Sequence, residues 1–540
     1  MRLSDLTRLL PGLKRTAIDA RGGTQSPADW DTYTGNAPLY SLLDTAAAKF
    51  SDRPCLSFLG KSYDYAEIID LVNRAAQGFQ QAGVVKGTRV GLLLPNTPYF
   101  VICYYAILKA GGTVVNFNPL YVGREIDHQI EDSDTDIMVT LDLKQLYPKV
   151  AHALDTTRLK KVVICRMSDI LPAVKGLLFS TLKRSELADI PEDLRHIPFD
   201  LLTKTDGAPS PVPIDIRKDP AVLQYTGGTT GLPKGAMLTH ANLVANTRQL
   251  QAIVTNVVEG EERILAVLPF FHVFAMTAIL NFGIATGSEL ILLPRFELDQ
   301  LLKTIDSRQP TIFHAVPTIY TAINGCDDIS KYDLSCLKFC ISGGAPLPAE
   351  IKRKFEEGTG CVLVEGYGLS EASPVVSVNP VDGSDRDGSI GRALPGTAVK
   401  FLSLEAPHKE VKDGENGELC VHGPQVMLGY WERPDETATT LKDGYLHTGD
   451  VGYRDKDGFL FLVDRMKDLI ICSGYNVYPR VIEDAIYLHP EVGEVTVIGV
   501  PDDYRGQSPK AFVKLKPGAT VTEEELRRFL TDKLSPIERP

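Results

Sequence analysis

Eleven consecutive residues limit what this chain can become more than any other feature: Tyr225-Thr226-Gly227-Gly228-Thr229-Thr230-Gly231-Leu232-Pro233-Lys234-Gly235. They hold four glycines, four hydroxyls counting Tyr225, and one lysine. Glycines reach backbone angles that turn successive N–H groups toward one anion, threonine hydroxyls add donors, and a lysine adds full positive charge. Such a loop is suited to gripping a polyphosphate. Ala221-Val222-Leu223 precedes it and Ala236-Met237-Leu238 follows, so it is expected to join two strands. It is not a Walker loop, in which Gly-Lys-Ser/Thr opens a helix; here Lys234 precedes Gly235 and no hydroxyl follows. A plain surface hairpin is the alternative, but surface hairpins have little use for so many donors beside a lysine.

Away from the loop, apolar strand patterns alternate with helical ones for hundreds of residues. Residues 89–94 read as a buried strand and 99–110 as the helix that follows. This alternation implies an α/β fold, with a large N-terminal domain of parallel-rich sheets flanked by helices. At 540 residues the chain exceeds one ordinary core. The boundary is expected at 464–467, because residues 482–487 and 522–530 then read as helices and 495–500 and 511–515 as strands. The division is 1–464 for the large domain and 465–540 for a small α+β lid. Gly444, Gly449, Gly452 and Gly458 cluster just before it, where the chain turns often.

A net charge of -12 argues against nucleic-acid binding, which rests on clustered Lys and Arg. Nine cysteines, an odd number without a CxxC pair, suit a reducing compartment, with Cys336 and Cys340 expected in the core. The start, Met1-Arg2-Leu3-Ser4-Asp5-Leu6, carries charges where an export signal needs an apolar run, so a cytoplasmic location is expected. Residues 264–288 carry no formal charge and are long enough to span a bilayer. Pro269, His272, Asn281 and several glycines interrupt them, so they are read as core. Leu3, Leu6, Leu9, Leu10 and Leu13, with Arg8, Lys14 and Arg15 between them, suggest a peripheral amphipathic helix. Residues 170–184 combine apolar side chains with three cations and no acid. They suit either an anionic membrane surface or an ordinary packed surface helix, and the sequence leaves both open. A homodimer is likewise left open.

Further motifs follow the loop in order: Ser342-Gly343-Gly344-Ala345-Pro346, Glu365-Gly366-Tyr367-Gly368-Leu369-Ser370-Glu371, Tyr445-Leu446-His447-Thr448-Gly449-Asp450 and Asp464-Arg465-Met466-Lys467-Asp468. Gly366-x-Gly368-x-x-Glu371 alone could pass for a broken dinucleotide fingerprint, and the phosphate loop upstream decides against it. Asp450 follows a glycine, and by itself a Gly-Asp pair reads as plain turn chemistry. His272 sits among aromatics in Leu268-Pro269-Phe270-Phe271-His272-Val273-Phe274, a setting that more often holds a satisfied core histidine.

The set resembles the adenylate-forming superfamily of acyl-CoA synthetases, luciferases and peptide-synthetase adenylation domains. Gly423-Pro424-Gln425-Val426-Met427-Leu428-Gly429-Tyr430-Trp431 and Ser473-Gly474-Tyr475-Asn476-Val477-Tyr478-Pro479 are most similar to the bacterial long-chain fatty-acid–CoA ligases. The resemblance implies fatty-acid activation through acyl-AMP to acyl-CoA, with ATP, Mg2+ and CoA. By it, Tyr225 and Thr226 through Lys234 hold phosphates, Glu371 and Thr226 serve the metal, and Ser370 faces the α-phosphate. Gly343, Gly344 and Ala345 line the adenine and acyl sites, and Glu365, Gly366, Tyr367 and Gly368 hold the nucleotide. Asp450 and Arg465 take the ribose, His272 lies beside the acyl carbon in an alkyl tunnel, Lys467 is the hinge, and Gly474 belongs to the stretch favouring CoA. The family's closing Gly-Lys motif would follow Pro540, and Lys514, Lys516 and Lys533 stand in the wrong context for it. On that reading the lid is incomplete and slow adenylation is expected. The alternatives are an acyl-AMP ligase serving a carrier protein and an ATP- and fatty-acid-binding module.

Overall fold

The computed structural model describes residues 30–226, 233–405, 408–472, 475–502 and 505–540. A seven-stranded sheet runs in the order His196–Pro198, Lys161–Cys165, Thr135–Leu141, Arg89–Leu93, Thr113–Asn116, Pro220–Thr226, Lys234–Thr239. Neighbours are parallel except the last two, an antiparallel hairpin. The two apolar triplets therefore do flank a hairpin, which closes with Thr226 opposite Lys234. The expected phosphate donors Gly227, Gly228, Thr229, Thr230 and Gly231 lie outside the described residues.

A nine-stranded sheet carries adjacent parallel strands from Val362–Gly368 through Phe339–Ser342, Ile312–Ala315, Arg263–Ala266 and Glu289–Leu292 to Pro54–Phe58, with antiparallel strands at its edges. The helix Pro98–Lys109 joins the cores of the two sheets. Its sequence, PYFVICYYAILK, is apolar all round, and every residue from Pro98 to Leu108 is buried, as an all-round apolar helix must be. Pro98 at the first turn pre-sets the helical φ. Asn96, just before it, donates to the carbonyls of Ala266 (3.0 Å) and Leu268 (2.8 Å) and accepts from Phe270 N (2.8 Å), tying the helix entry to the second sheet. At the far end Lys109 reaches Asp44 at 2.6 Å. Truncating fully buried Phe100 to alanine here would cost about 3–5 kcal/mol.

The charge-free stretch is core, as read: strand Arg263–Ala266, then a helical run from Val273 to Ala285 whose turn Met276–Asn281 is wholly buried. No helix among the described residues is long and apolar enough to cross a membrane. Cys340 is buried, Cys336 is half-buried, and the nine cysteines are free. The leucines at 3–13 lie outside the described residues.

Two antiparallel sheets complete the chain. One is built on Ala398–Leu402, Gly417–His422 and Tyr445–Arg454, which pairs with Leu460–Arg465; the other on Ile470–Cys472, Tyr475–Val477, Val492–Asp502 and Gly506–Leu515. The last sheet, with helices Pro479–Tyr487 and Glu523–Phe529, closes a core of its own that includes Ile470, Ile482, Ile486, Val497, Leu526 and Leu530. Between Leu460–Arg465 and Ile470–Cys472 the chain makes an exposed turn at 466–468 containing Lys467.

Candidate active site

Loops at the carboxyl ends of the parallel strands, the usual ligand position in open α/β sheets, surround a cavity of about 570 Å3. Thr226, Lys234, His272, Glu371, Asp450 and Arg465 all line it, although they are scattered through the sequence.

At one end stand Thr226 and Lys234. Residues 428–431 run along the strand Lys234–Thr239 by backbone bonds: Leu428 N to Met237 O (2.9 Å), Met237 N to Gly429 O (2.9 Å) and Trp431 N to Gly235 O (2.8 Å). That pairing sets the Tyr430 ring 5.4 Å from Lys234 Nζ and its hydroxyl 2.6 Å from Glu371 Oε1, to which it donates. Met427 N donates to the Glu371 carbonyl at 2.7 Å. Burial, then the Glu371 charge, hold the Tyr430 phenol above its ordinary pKa and so keep it a donor. Glu371 Oε2 has no hydrogen-bond partner among the described residues, which leaves a hard oxygen of the kind Mg2+ takes beside substrate phosphates. Tyr225 departs from expectation. It lines the cavity, but its hydroxyl donates to Asp132 Oδ2 at 2.6 Å, and Arg433 grips the other oxygen. It thus supplies wall and anchors the hairpin rather than presenting a free donor.

At the other end Asp450 lies in register with Arg465 across adjacent strands, Arg465 Nε standing 3.0 Å from Oδ1, while the Tyr367 hydroxyl donates to Oδ2. Asp450 is 5% exposed. Burial raises its carboxyl pKa, and Tyr367 and Arg465 pull it back toward the anion. The part of the same strand just before it is held by Glu418, which accepts from Gly449 N (3.2 Å) at Oε1 and from the His447 ring (2.8 Å) at Oε2. Thr448 donates to Leu419 O at 2.7 Å and accepts from Asp450 N at 3.0 Å.

Between the ends run Gly343, Gly344, Gly366, Gly368 and Ser370. Gly344 adopts φ +80°, and a Cβ on Gly368 would fall 2.3 Å from the Pro374 carbonyl oxygen, so glycine is required at both. His272 accepts from Phe274 N (3.3 Å) at Nδ1, so the neutral ring carries its proton on Nε2. The His272 side chain is exposed on the cavity side, and the desolvation it meets there lowers its pKa. Apolar Val273, Phe274, Ala278, Ile341 and Val375 line this side. Three buried amides join them: Asn116 donates to Gln224 (3.0 Å), Gln224 to Phe271 O (3.0 Å) and Gln129 to Asn116 O (2.9 Å). The wall is therefore mixed, not purely alkyl as expected.

Glu365 and Ala345 stand apart from this cavity. They line a neighbouring one of about 790 Å3, against the C-terminal sheet, together with Asp464, Lys467 and Arg480. Gly344, Gly366, Tyr367, Gly368, Asp450 and Arg465 border both cavities. Burial lifts the Glu365 carboxyl to about 7, with the Arg480 charge opposing. Gly474 lies outside the described residues.

Glu418, Tyr430 and Asp132 were not picked out from sequence. A single acid in a strand, as Glu418, or at a helix end, as Asp132, forms no pattern, and Tyr430 lies within residues 423–431 with nothing in the sequence to give it a role.

Residues 43–431 match the AMP-binding enzyme family, and residues 481–540 match the AMP-binding enzyme C-terminal domain. The chain is 44% identical over 522 residues to a long-chain-fatty-acid–CoA ligase of Bacillus subtilis (strain 168), covering 94% of this chain and 90% of that protein. It is 37% identical over 534 residues to a protein of the same name from Escherichia coli O157:H7, covering 95% and 92%. Among solved structures, ATP-bound MatB from Rhodopseudomonas palustris superposes with a TM-score of 0.81 at 28% identity, covering 93% of this chain and 94% of that one. The anthranilate CoA ligase AuaEII in complex with anthranoyl-AMP gives 0.79 at 25% identity, covering 93% and 92%. With both of its parts matched and relatives aligned along nearly its full length, the chain belongs to the AMP-binding enzyme family.

Proposed function

We propose that this chain activates a long-chain fatty acid with ATP and transfers the acyl group to CoA. The supporting observation is the shared cavity: a cationic end at Thr226 and Lys234, a carboxylate at Glu371, a buried sugar-type acceptor at Asp450, and an apolar side around His272 and Phe274. The relatives named as long-chain-fatty-acid–CoA ligases supply the acid and the thiol.

In the first half-reaction a carboxylate oxygen of the acid bonds to the α-phosphorus of ATP, the bond to the β-phosphate bridging oxygen breaks, and pyrophosphate leaves. Charge builds on phosphate oxygens, which Lys234 and Thr226 are placed to hold, with Ser370 nearer the α-phosphate. Glu371 and Thr226 would hold Mg2+, which when bound neutralises charge on those oxygens. Tyr430 keeps Glu371 oriented. Asp450 and Arg465 hold the ribose, the Arg465 guanidinium opposing the rise that burial gives the Asp450 carboxyl. In the second half-reaction the thiol gives its proton to solvent, its sulfur bonds to the acyl carbon, the acyl–phosphate oxygen bond breaks, and AMP leaves.

We assign residues 1–464 and 465–540 to two bodies that turn about Lys467, whose place in an exposed turn beside the 790 Å3 cleft supports a torsional role. The test is a panel of carboxylates from short to long, assayed for CoA-dependent release of AMP. Acyl-CoA formation that requires ATP and magnesium and rises with chain length is expected. Absence of a CoA thioester across the panel would overturn the reading.

A further inference from the structure

Two helices of this protein have similarly apolar sequences and opposite fates. Pro98–Lys109 buries every residue up to Leu108, whereas Ala173–Leu182, AVKGLLFSTL, buries only Gly176. Val174 is 72% exposed, Leu177 68%, Leu178 48% and Leu182 76%. Their spacing of i, i+3, i+4 and i+8 puts all four on one face. The helix is not loosely attached. A Cβ on Gly176 would come 2.6 Å from the Ser168 carbonyl oxygen, so the opposite face is seated closely on the turn Met167–Ile170, with Phe179 packed against the core. A contiguous exposed apolar face held in a fixed orientation marks a contact surface.

The charges around that face select its partner. Ala173–Leu182 contains no acid, Lys175 lies on it, and Lys183 and Arg184 follow directly. Lys61 is attached alongside through Asp169 O at 2.7 Å, and Lys175 through Leu59 O at 2.9 Å. Asp169 and Glu186 on the flanking turns offset part of this, Glu186 pairing with Lys183 at 2.7 Å. Yet the chain as a whole carries -12. An anionic bilayer repels such a molecule in most orientations, so attachment needs a local cationic and apolar spot. We propose that Ala173–Leu182 docks on an anionic lipid surface, its four apolar side chains entering the headgroup boundary and its flanking cations meeting lipid phosphates. The docking does not depend on which acid the active site takes. For an enzyme of long-chain acids it would place the protein where such substrates dissolve.

The test uses the full chain and sedimented vesicles of equal parts phosphatidylglycerol and phosphatidylcholine, beside vesicles of phosphatidylcholine alone. The wild type is expected to sediment with the anionic vesicles and to be released by high salt. Leu177→Glu with Leu182→Glu, and separately Lys183→Glu with Arg184→Glu, should each lower the bound fraction by about tenfold or more. Turnover on a water-soluble acid should be unchanged in both. Wild-type protein that stays in the supernatant, or variants that bind vesicles as well as the wild type, would overturn the proposal. So would a leucine variant whose only change is a dimer becoming a monomer in light scattering, which would make a second copy the occupant. Vesicle binding that is equal for the two lipid compositions would overturn the cationic part of the argument, and with it the choice of partner.

Discussion

The Tyr430 hydroxyl donates to Glu371 Oε1 across 2.6 Å while its ring lies 5.4 Å from Lys234 Nζ. One side chain therefore touches both the carboxylate assigned to the metal and the lysine assigned to the phosphates, and the backbone pairing of 428–431 with Lys234–Thr239 fixes it there. Replacing Tyr430 with phenylalanine keeps the ring and removes the donor. Pyrophosphate release on adding fatty acid should then fall about tenfold to a hundredfold, the usual worth of a hydrogen bond to a charged group. Glu371→Ala should abolish acyl-AMP formation and leave the fold intact with a modest fall in melting temperature, since a half-buried acid and its bond from Tyr430 are removed and not core packing. Full turnover in either variant at ordinary magnesium would remove the role given to the pair.

Glu418 is expected to act through Asp450. Its two oxygens hold Gly449 N and His447, so Glu418→Ala loosens the strand segment 447–449 that leads into Asp450, the acceptor proposed for the ribose. The KM for ATP should rise about tenfold while kcat at saturating ATP changes little, because a ground-state contact has been loosened. Glu418→Gln keeps one acceptor oxygen and should recover part of the affinity. An equal loss in both variants, with kcat carrying the effect, would speak for a structural role instead.

Stability should depend on pH through Glu365. Its folded-state carboxyl titrates at about 7, above its ordinary value of 4.5, because burial disfavours the anion. The folded protein therefore holds a proton that the unfolded chain has released between those values. This contribution is complete below the ordinary value and is lost as pH rises through the folded one. The difference in melting temperature between wild type and Glu365→Gln should thus shift against the wild type on going from pH 5 to pH 8, by an amount equivalent to about 2–3 kcal/mol at most. A difference that stays flat with pH would show that Arg480 compensates the charge fully.

Lys467→Pro fixes φ and removes an N–H within the turn at 466–468. If the small body must rotate there between steps, conversion of supplied acyl-AMP to acyl-CoA should fall more than acyl-AMP formation does. Separate assays of the two half-reactions decide it, and equal losses would remove the hinge.

Much of this arrangement was readable in the sequence because it is local. The apolar triplets around the loop made a hairpin, and the uninterrupted apolar run of Pro98–Lys109 made a buried helix. Asp450 and Arg465 could be paired only through the motifs that contain them. Their contact is a matter of strand register, which the resemblance carried and periodicity did not. What stayed hidden depends on partners distant in the chain. Tyr225 looked like a free hydroxyl until Asp132, 93 positions earlier, was found accepting from it. Asn116, Gln129 and Gln224 form no pattern in the sequence, and folding buries them together in a chain of bonds that ends at Phe271 O. Ala173–Leu182 was ambiguous because composition cannot say whether an apolar face is covered.

The helix Pro98–Lys109 has a consequence for how the molecule comes apart. Residues of both large sheets belong with it to one continuous apolar cluster, while the sheet beyond residue 470 closes a separate one. A further apolar cluster around Phe117, Ile126 and Tyr147 covers the other face of the seven-stranded sheet and rests on the same strands, so a calorimeter should record the two large sheets as a single absorption of heat, with the C-terminal core contributing a distinct and smaller event. The cavity at the strand ends would then have no half-melted form: it persists whole until the larger transition and disappears with it.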